Sequence, residues 1–101
     1  MIEIREQKSK RYKIYFVLTD AEYKTTIYID KKNTVRTTAK NEYKELLLRT
    51  VINKIRNISE FEVFATDEWN VPLEEFGFVK EDDMYIANSK DLVLPRGCVK
   101  N

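Results

Sequence analysis

The sequence predicts an α+β domain built on a single mixed, mostly antiparallel sheet of about five to six strands, with one long helix and one short helix. Two observations carry this. Residues 2–30 contain three runs in which apolar and polar residues alternate, separated by short polar turns. Residues 41–57 instead place apolar residues every three to four positions, the period of a helix with one buried face.

The elements follow in order. "IEIRE", residues 2–6, reads as a short first strand, and "KSK" as a turn. "RYKIYFVLTD" is a stronger strand, with Tyr12, Ile14, Phe16 and Leu18 on one face and Tyr15 and Val17 on the other. "YKTTIYID" is the third, with Tyr23, Thr25, Ile27 and Ile29 sharing a face, and the spacing suggests an antiparallel meander. A fourth short strand is expected around Thr34–Thr37. In the long helix Tyr43, Leu47, Val51 and Ile55 make a stripe that Leu48 and Ile52 widen. Thr38 or Asn41 suits its start and Asn57 its end. "EFEVFATD" is an interior strand. "NVPLEEF" reads as a short helix, with Asn70 as cap, Pro72 in the first turn and Gly77 as the stop. "MYIANSKDLVL" is a final strand or a pair of short ones. A strand–helix–strand crossover between residues 27 and 66 implies at least one parallel pair.

The length of 101 residues suits one domain over residues 1–101, with 94–101 as a tail. No apolar run approaches the roughly 20 residues that span a bilayer, and "MIEIREQKSK" lacks a signal-peptide hydrophobic region. Cys98 is the one cysteine, which removes an internal disulfide and fits a reducing compartment. The expectation is a cytoplasmic protein with no membrane association.

The net charge of +1 conceals an asymmetry. Residues 1–56 hold 14 basic and 7 acidic residues, a balance of +7. Residues 57–101 hold 4 basic and 10 acidic residues, a balance of −6. Either the two parts neutralise each other across the domain, or they stay apart and the first attracts an anionic ligand or partner.

The chain has no histidine, so the commonest general base and metal ligand is missing. With one cysteine as well, no metal site is expected. No glycine precedes the long helix, so there is no glycine-rich phosphate loop. Glu81, Asp82 and Asp83 lack the spacing of a calcium loop and read as a solvated turn. Cys98 reads as an incidental tail thiol.

The layout of residues 23–88, closing with "NVPLEEFGFVKEDDMYIAN", resembles the GNAT superfamily of acyl-CoA-dependent N-acetyltransferases. In that family a strand leads through a glycine-rich turn into a long helix and a further strand. A second helix then ends in a Tyr-Glu-Lys-x-Gly-Phe pattern, followed by a strand that often reads Met-Tyr. Glu74, Gly77, Phe78, Met84 and Tyr85 fit this ending. The resemblance implies acetyl-CoA as cofactor, held by Arg36, Thr38, Ala39, Lys40 and Asn41 before the long helix. It also implies a splay between strands that positions the acceptor amine; for an active enzyme the chain itself offers Glu60, Glu62 or Asp67 near the central strand as candidate base and Tyr85 as a substitute acid.

The departures bear on function. The family carries Arg or Gln, two variable residues, Gly, one variable residue, then Gly or Ala before the helix. Counted from Arg36, this chain has Ala39 and Asn41 at the two small positions; counted from Thr38, it has Asn41 and Tyr43. Backbone amides that approach a pyrophosphate need glycine there. Lys40 and Lys44 still offer positive charge to an anion. The family's frequent general acid, a tyrosine four residues before Gly-Phe, is Leu73 here, and leucine donates no proton. The first strand runs almost directly into the second, without the helices that usually shape the acceptor site.

Three readings follow. One is a GNAT-like domain with impaired catalysis that binds a protein partner, with Tyr12, Tyr15, Tyr28 and Trp69 as interface anchors. One is an active acetyl-CoA-dependent N-acetyltransferase of unusual sequence. The last is a nucleic-acid-binding domain that uses Arg5, Lys8, Lys10, Arg11 and Lys13 among aromatics; the pI near 7.8 argues against it.

Overall fold

The computed structural model describes residues 2–21, 23–39 and 41–95. Seven strands form one sheet: β1 (Ile2–Glu6), β2 (Ile14–Asp20), β3 (Tyr23–Ile29), β4 (Thr34–Thr37), β5 (Glu62–Thr66), β6 (Val79–Glu81) and β7 (Met84–Asn88). One α-helix, α1 (Asn41–Ile55), connects β4 to β5. The strand order is β1-β2-β3-β4-β5-β7-β6. Every neighbouring pair is antiparallel except β4 with β5, which the α1 crossover makes parallel.

This corrects the expected five to six strands with a long and a short helix. The sheet has seven strands, and α1 is the one α-helix among the described residues. The expected short helix is a 3₁₀ turn, Leu73–Phe76. Its bonds run from Glu75 N–H to the Pro72 carbonyl (3.0 Å) and from Gly77 N–H to the Glu74 carbonyl (3.1 Å). Four residues between Pro72 and Gly77 are too few to repay the nucleation cost of an α-helix. The additional strand is β6, whose three residues are all exposed and show no alternation. It pairs with β7 through a two-residue turn, Asp82–Asp83, in which Asp82 takes φ 56°. An aspartate tolerates that left-handed conformation, so the hairpin carries no glycine to mark it.

α1 buries Leu47, Leu48, Val51, Ile52 and Ile55 completely, as its period requires. They meet Ile14, Leu18, Ile27, Ile29, Val35, Val63 and Ala65 from the facing side of the sheet. Each such aliphatic side chain stabilises the fold by about 1.5–3 kcal/mol on burial. Asn57 closes the helix, donating its amide Nδ2 to the Asn53 carbonyl at 2.7 Å. Lys90 brings its ammonium to the carbonyls of Arg56 (3.3 Å) and Ile58 (2.9 Å), a cation where the helix dipole is negative. Fully buried Ser89 accepts from the Phe61 N–H at 3.0 Å and donates its own N–H to the Phe61 carbonyl at 2.8 Å. Leu94, at the start of the expected tail, is half-buried against the core; residues 96–101, with Cys98, lie outside the described residues. Among the described residues no helix is long and apolar enough to cross a membrane.

The other side of the sheet carries Glu3 and Arg5 of β1, Tyr15, Val17 and Thr19 of β2, and Lys24, Thr26 and Tyr28 of β3. It continues through Thr34 and Arg36 to Glu62, Phe64, Met84, Ile86 and Val79. Of these only Thr34 is buried, and no helix lies over them among the described residues. Tyr12 belongs to this open side, not to the Ile14 face. The Ser9 hydroxyl accepts from the N–H groups of Arg11 (3.0 Å) and Tyr12 (3.2 Å), β2 begins only at Ile14, and the Tyr12 ring packs on Tyr15 and Tyr28.

Candidate functional site

Two features lie where a ligand or partner has access. The first is a crevice of about 330 Å³ at the carboxyl ends of β4 and β5. The two strands pair only at Thr34–Phe64 and Val35–Ala65 and then part. β4 runs on to Thr37 against β3, and β5 to Thr66 against β7. The opening is lined by Tyr28, Arg36, Thr38, Lys44, Glu68 and Trp69, with α1 starting beside it. In open sheets with crossover helices this end of the parallel strands is where ligands bind.

The structure thus brings Arg36, Thr38 and Ala39 to one crevice, while Lys40 and the side chain of Asn41 lie outside the described residues. Arg36 is already engaged, with Asp30 at 3.1 Å and Glu68 at 3.9 Å. The Thr38 hydroxyl accepts from the Thr26 N–H at 2.9 Å, and buried Ala39 donates its N–H to the Thr37 hydroxyl at 2.9 Å. Lys44, which joins this group, donates to the Glu68 carbonyl oxygen at 2.8 Å. Trp69 closes the inner end. It is 1 % exposed, and its indole Nε1–H donates to the Val35 carbonyl at 3.1 Å, the last β4 residue paired with β5. Trp69 is therefore a core residue, not the expected interface anchor; its neighbours in sequence, all polar, gave no sign of burial.

The candidate acid and bases do not converge. Glu62 lies on the open side of β5, Tyr85 on the helix side of β7, and Asp67 is exposed at the start of a 3₁₀ turn. Glu60 accepts from the Asn88 side chain at 2.7 Å. Tyr85 is buried and has the Lys80 ammonium 5.9 Å from its ring centre. Tyr43, in the first turn of α1, donates its phenol to Asp20, and that bond pushes its pKa up to about 12.

The chain matches no known family model, no curated protein and no solved structure.

The second feature is the tyrosine cluster on the open side. The Tyr12 and Tyr28 ring centres are 4.1 Å apart, Tyr12 and Tyr15 5.6 Å, and Tyr15 and Tyr28 6.4 Å. The Arg11 guanidinium sits 5.7 Å from the Tyr12 ring centre. In the sheet order β1–β4 occupy one end and β5–β7 the other. The basic and acidic parts of the sequence therefore remain apart in the sheet. Arg5–Glu3, Arg36–Asp30, Arg49–Glu45 and Lys54–Glu6 pair within residues 1–56, and Arg36–Glu68, the long contact at 3.9 Å, bridges the two parts.

Asp30 organises the edge of this cluster. Its carboxylate accepts from the N–H groups of Lys32 (2.9 Å) and Thr34 (3.0 Å) and from Arg36 Nε (3.1 Å). Partial burial raises its pKa, but these bonds and the Arg36 charge together outweigh it and hold the group below the ordinary value of 3.8. A depressed carboxylate pKa stabilises the fold above 3.8, and the contribution disappears as pH falls through the folded value. Asp30→Asn is therefore expected to lower Tm at neutral pH and to match wild type in strong acid. Thermal melts across pH check this; a Tm difference that persists unchanged into strong acid would show that the charge is not what matters.

Proposed function

We propose that this chain is a non-catalytic binding domain, distantly related to acyl-CoA-dependent N-acetyltransferases and acting in the cytoplasm. It binds an acidic surface of a protein partner on the open side of its sheet. The observation that carries the reading is the Tyr12–Tyr15–Tyr28 cluster, half-buried on a face that no helix covers among the described residues, with Arg11 and Arg36 beside it. Tyrosine and arginine are the side chains that anchor protein interfaces, because each offers a large contact area with a polar edge. The basic end of the sheet steers an acidic partner to them. The parting of β4 from β5 supports the acetyltransferase relation, since the resemblance implies a strand splay. Impaired catalysis is supported by Trp69 at the inner end of that splay, by Leu73 in place of the acid, and by the separation of Glu62 from Tyr85.

Amide chemical shifts followed during three titrations test this. An acid-rich peptide is expected to shift Tyr15, Tyr28 and Arg36, and Tyr28→Ala to weaken that binding about tenfold. Acetyl-CoA binding at micromolar concentration, with shifts around Thr37–Tyr43, would replace this reading with the enzyme. A short mixed-sequence oligonucleotide that binds the same residues more tightly than the peptide would replace it with nucleic-acid recognition.

A further inference from the structure

We infer that β1 is a self-complementary edge through which two copies of this chain join their sheets, antiparallel and centred on Ile4. β1 lies at the end of the sheet and pairs only with β2 among the described residues. The direction of its free backbone groups follows from one bond. Gln7 N–H donates to the Tyr15 carbonyl at 2.8 Å, so Gln7 faces β2. By the alternation of an antiparallel ladder, Arg5 and Glu3 also turn their backbone groups to β2, and Ile2, Ile4 and Glu6 turn theirs outward.

Only one register uses those groups and also matches the side chains. Centred on Ile4, it pairs Ile4 with Ile4 of the second copy, and Ile2 with Glu6 in both directions. These are the outward-facing residues, and each pair exchanges two N–H···O bonds, about six in all. Glu3 then stands opposite Arg5 of the second copy, and Arg5 opposite Glu3. They form the pairs without mutual backbone bonds, in which side chains approach most closely. Both residues lie on the open side and are exposed, and within one chain Arg5 pairs with Glu3 at 2.7 Å. Slipping by two residues in one direction sets Glu3 against Glu3; in the other it sets Arg5 against Arg5. Like charges directly opposite disfavour both. Glu6 on the helix side brings no uncompensated charge, because Lys54 holds it at 3.2 Å. The contact is two-fold symmetric and closes on itself, so it stops at a dimer.

An edge strand with charges of both signs also has a plainer role, that of discouraging any pairing. Sedimentation equilibrium separates the two. The wild-type mass is expected to rise with concentration from 12.1 kDa toward twice that value. Glu3→Arg alone and Arg5→Glu alone each set like charges opposite one another twice, and each is expected to weaken association at least about tenfold. An equimolar mixture of the two variants is expected to regain the dimer, because every introduced charge then meets its opposite. Circular dichroism and urea melts of each variant establish that it is folded. A wild type that stays at 12.1 kDa at millimolar concentration overturns the inference. So does a single variant that associates as tightly as wild type, or a mixture of folded variants that fails to associate.

Discussion

Trp69→Ala is expected to lower the free energy of unfolding by about 3–5 kcal/mol. The indole is almost wholly inside the structure, among the largest fully buried side chains. Its removal deletes the apolar contacts of a large ring and leaves a cavity that β4 and β5 cannot close, because each is held by its other neighbour, β3 and β7. It also removes the donor to the Val35 carbonyl, at the point where the strands part. Trp69→Phe separates the two contributions. It keeps much of the ring and loses the N–H, and its expected cost is about 1–3 kcal/mol for the unpaired carbonyl. Urea unfolding followed by circular dichroism measures both. A Trp69→Ala variant within about 1 kcal/mol of wild type would mean that the indole does not hold the crevice closed.

Gly77→Ala is expected to destabilise by about 2–4 kcal/mol. Gly77 ends the 3₁₀ turn at φ 106°, a conformation L side chains rarely adopt. A Cβ there would also lie 2.7 Å from the Asp91 carbonyl oxygen and 3.2 Å from Leu92 Cα. Both obstacles are backbone, and the segment is tied in place by the Val93 N–H, which donates to the Phe76 carbonyl at 2.9 Å. Two causes are therefore present, strain and close approach, and Gly77→Asn distinguishes them. Asparagine tolerates positive φ better than alanine, so it recovers stability if strain dominates. Close approach dominates at 2.7 Å, so Gly77→Asn is expected to cost at least as much as Gly77→Ala. For a domain of this size either loss is a large fraction of a total stability of about 5–15 kcal/mol.

The elements read well from the sequence are those with a strong period and a matching partner surface. Leu47, Leu48, Val51, Ile52 and Ile55 announce α1, and Ile27 and Ile29 the buried face of β3. β6 left no such trace, since Val79, Lys80 and Glu81 are all exposed and pair by backbone alone. Its turn, read as solvated acids, is the Asp82–Asp83 connection of a hairpin. "LEEF" reads as a short helix because Pro72 and Gly77 bracket it like helix ends, but the interval holds only a 3₁₀ turn. Alternation places Tyr12 with Ile14, but the strand begins only at Ile14, so Tyr12 is free to turn to the other face.

The candidate site divides in the same way. Arg36, Thr38 and Ala39 are close in the chain, and they line one crevice. Lys44, Glu68 and Trp69 reach it from α1 and the turn after β5, and no local pattern links them to Arg36. The same holds for the failure of Glu62 and Tyr85 to meet. Each alternation was legible, but which faces they share depends on the register of β5 against β7.

By itself the sequence determined the long helix, the antiparallel first half and the opposed charges of its two parts, since each is a matter of period or composition along the chain. Only the tertiary structure decided that those charges stay apart, that three tyrosines gather on the face of the sheet opposite α1, and that a tryptophan fills the split between β4 and β5. These depend on which strands become neighbours and in what register, and pairing is settled by contacts between residues far apart in the chain.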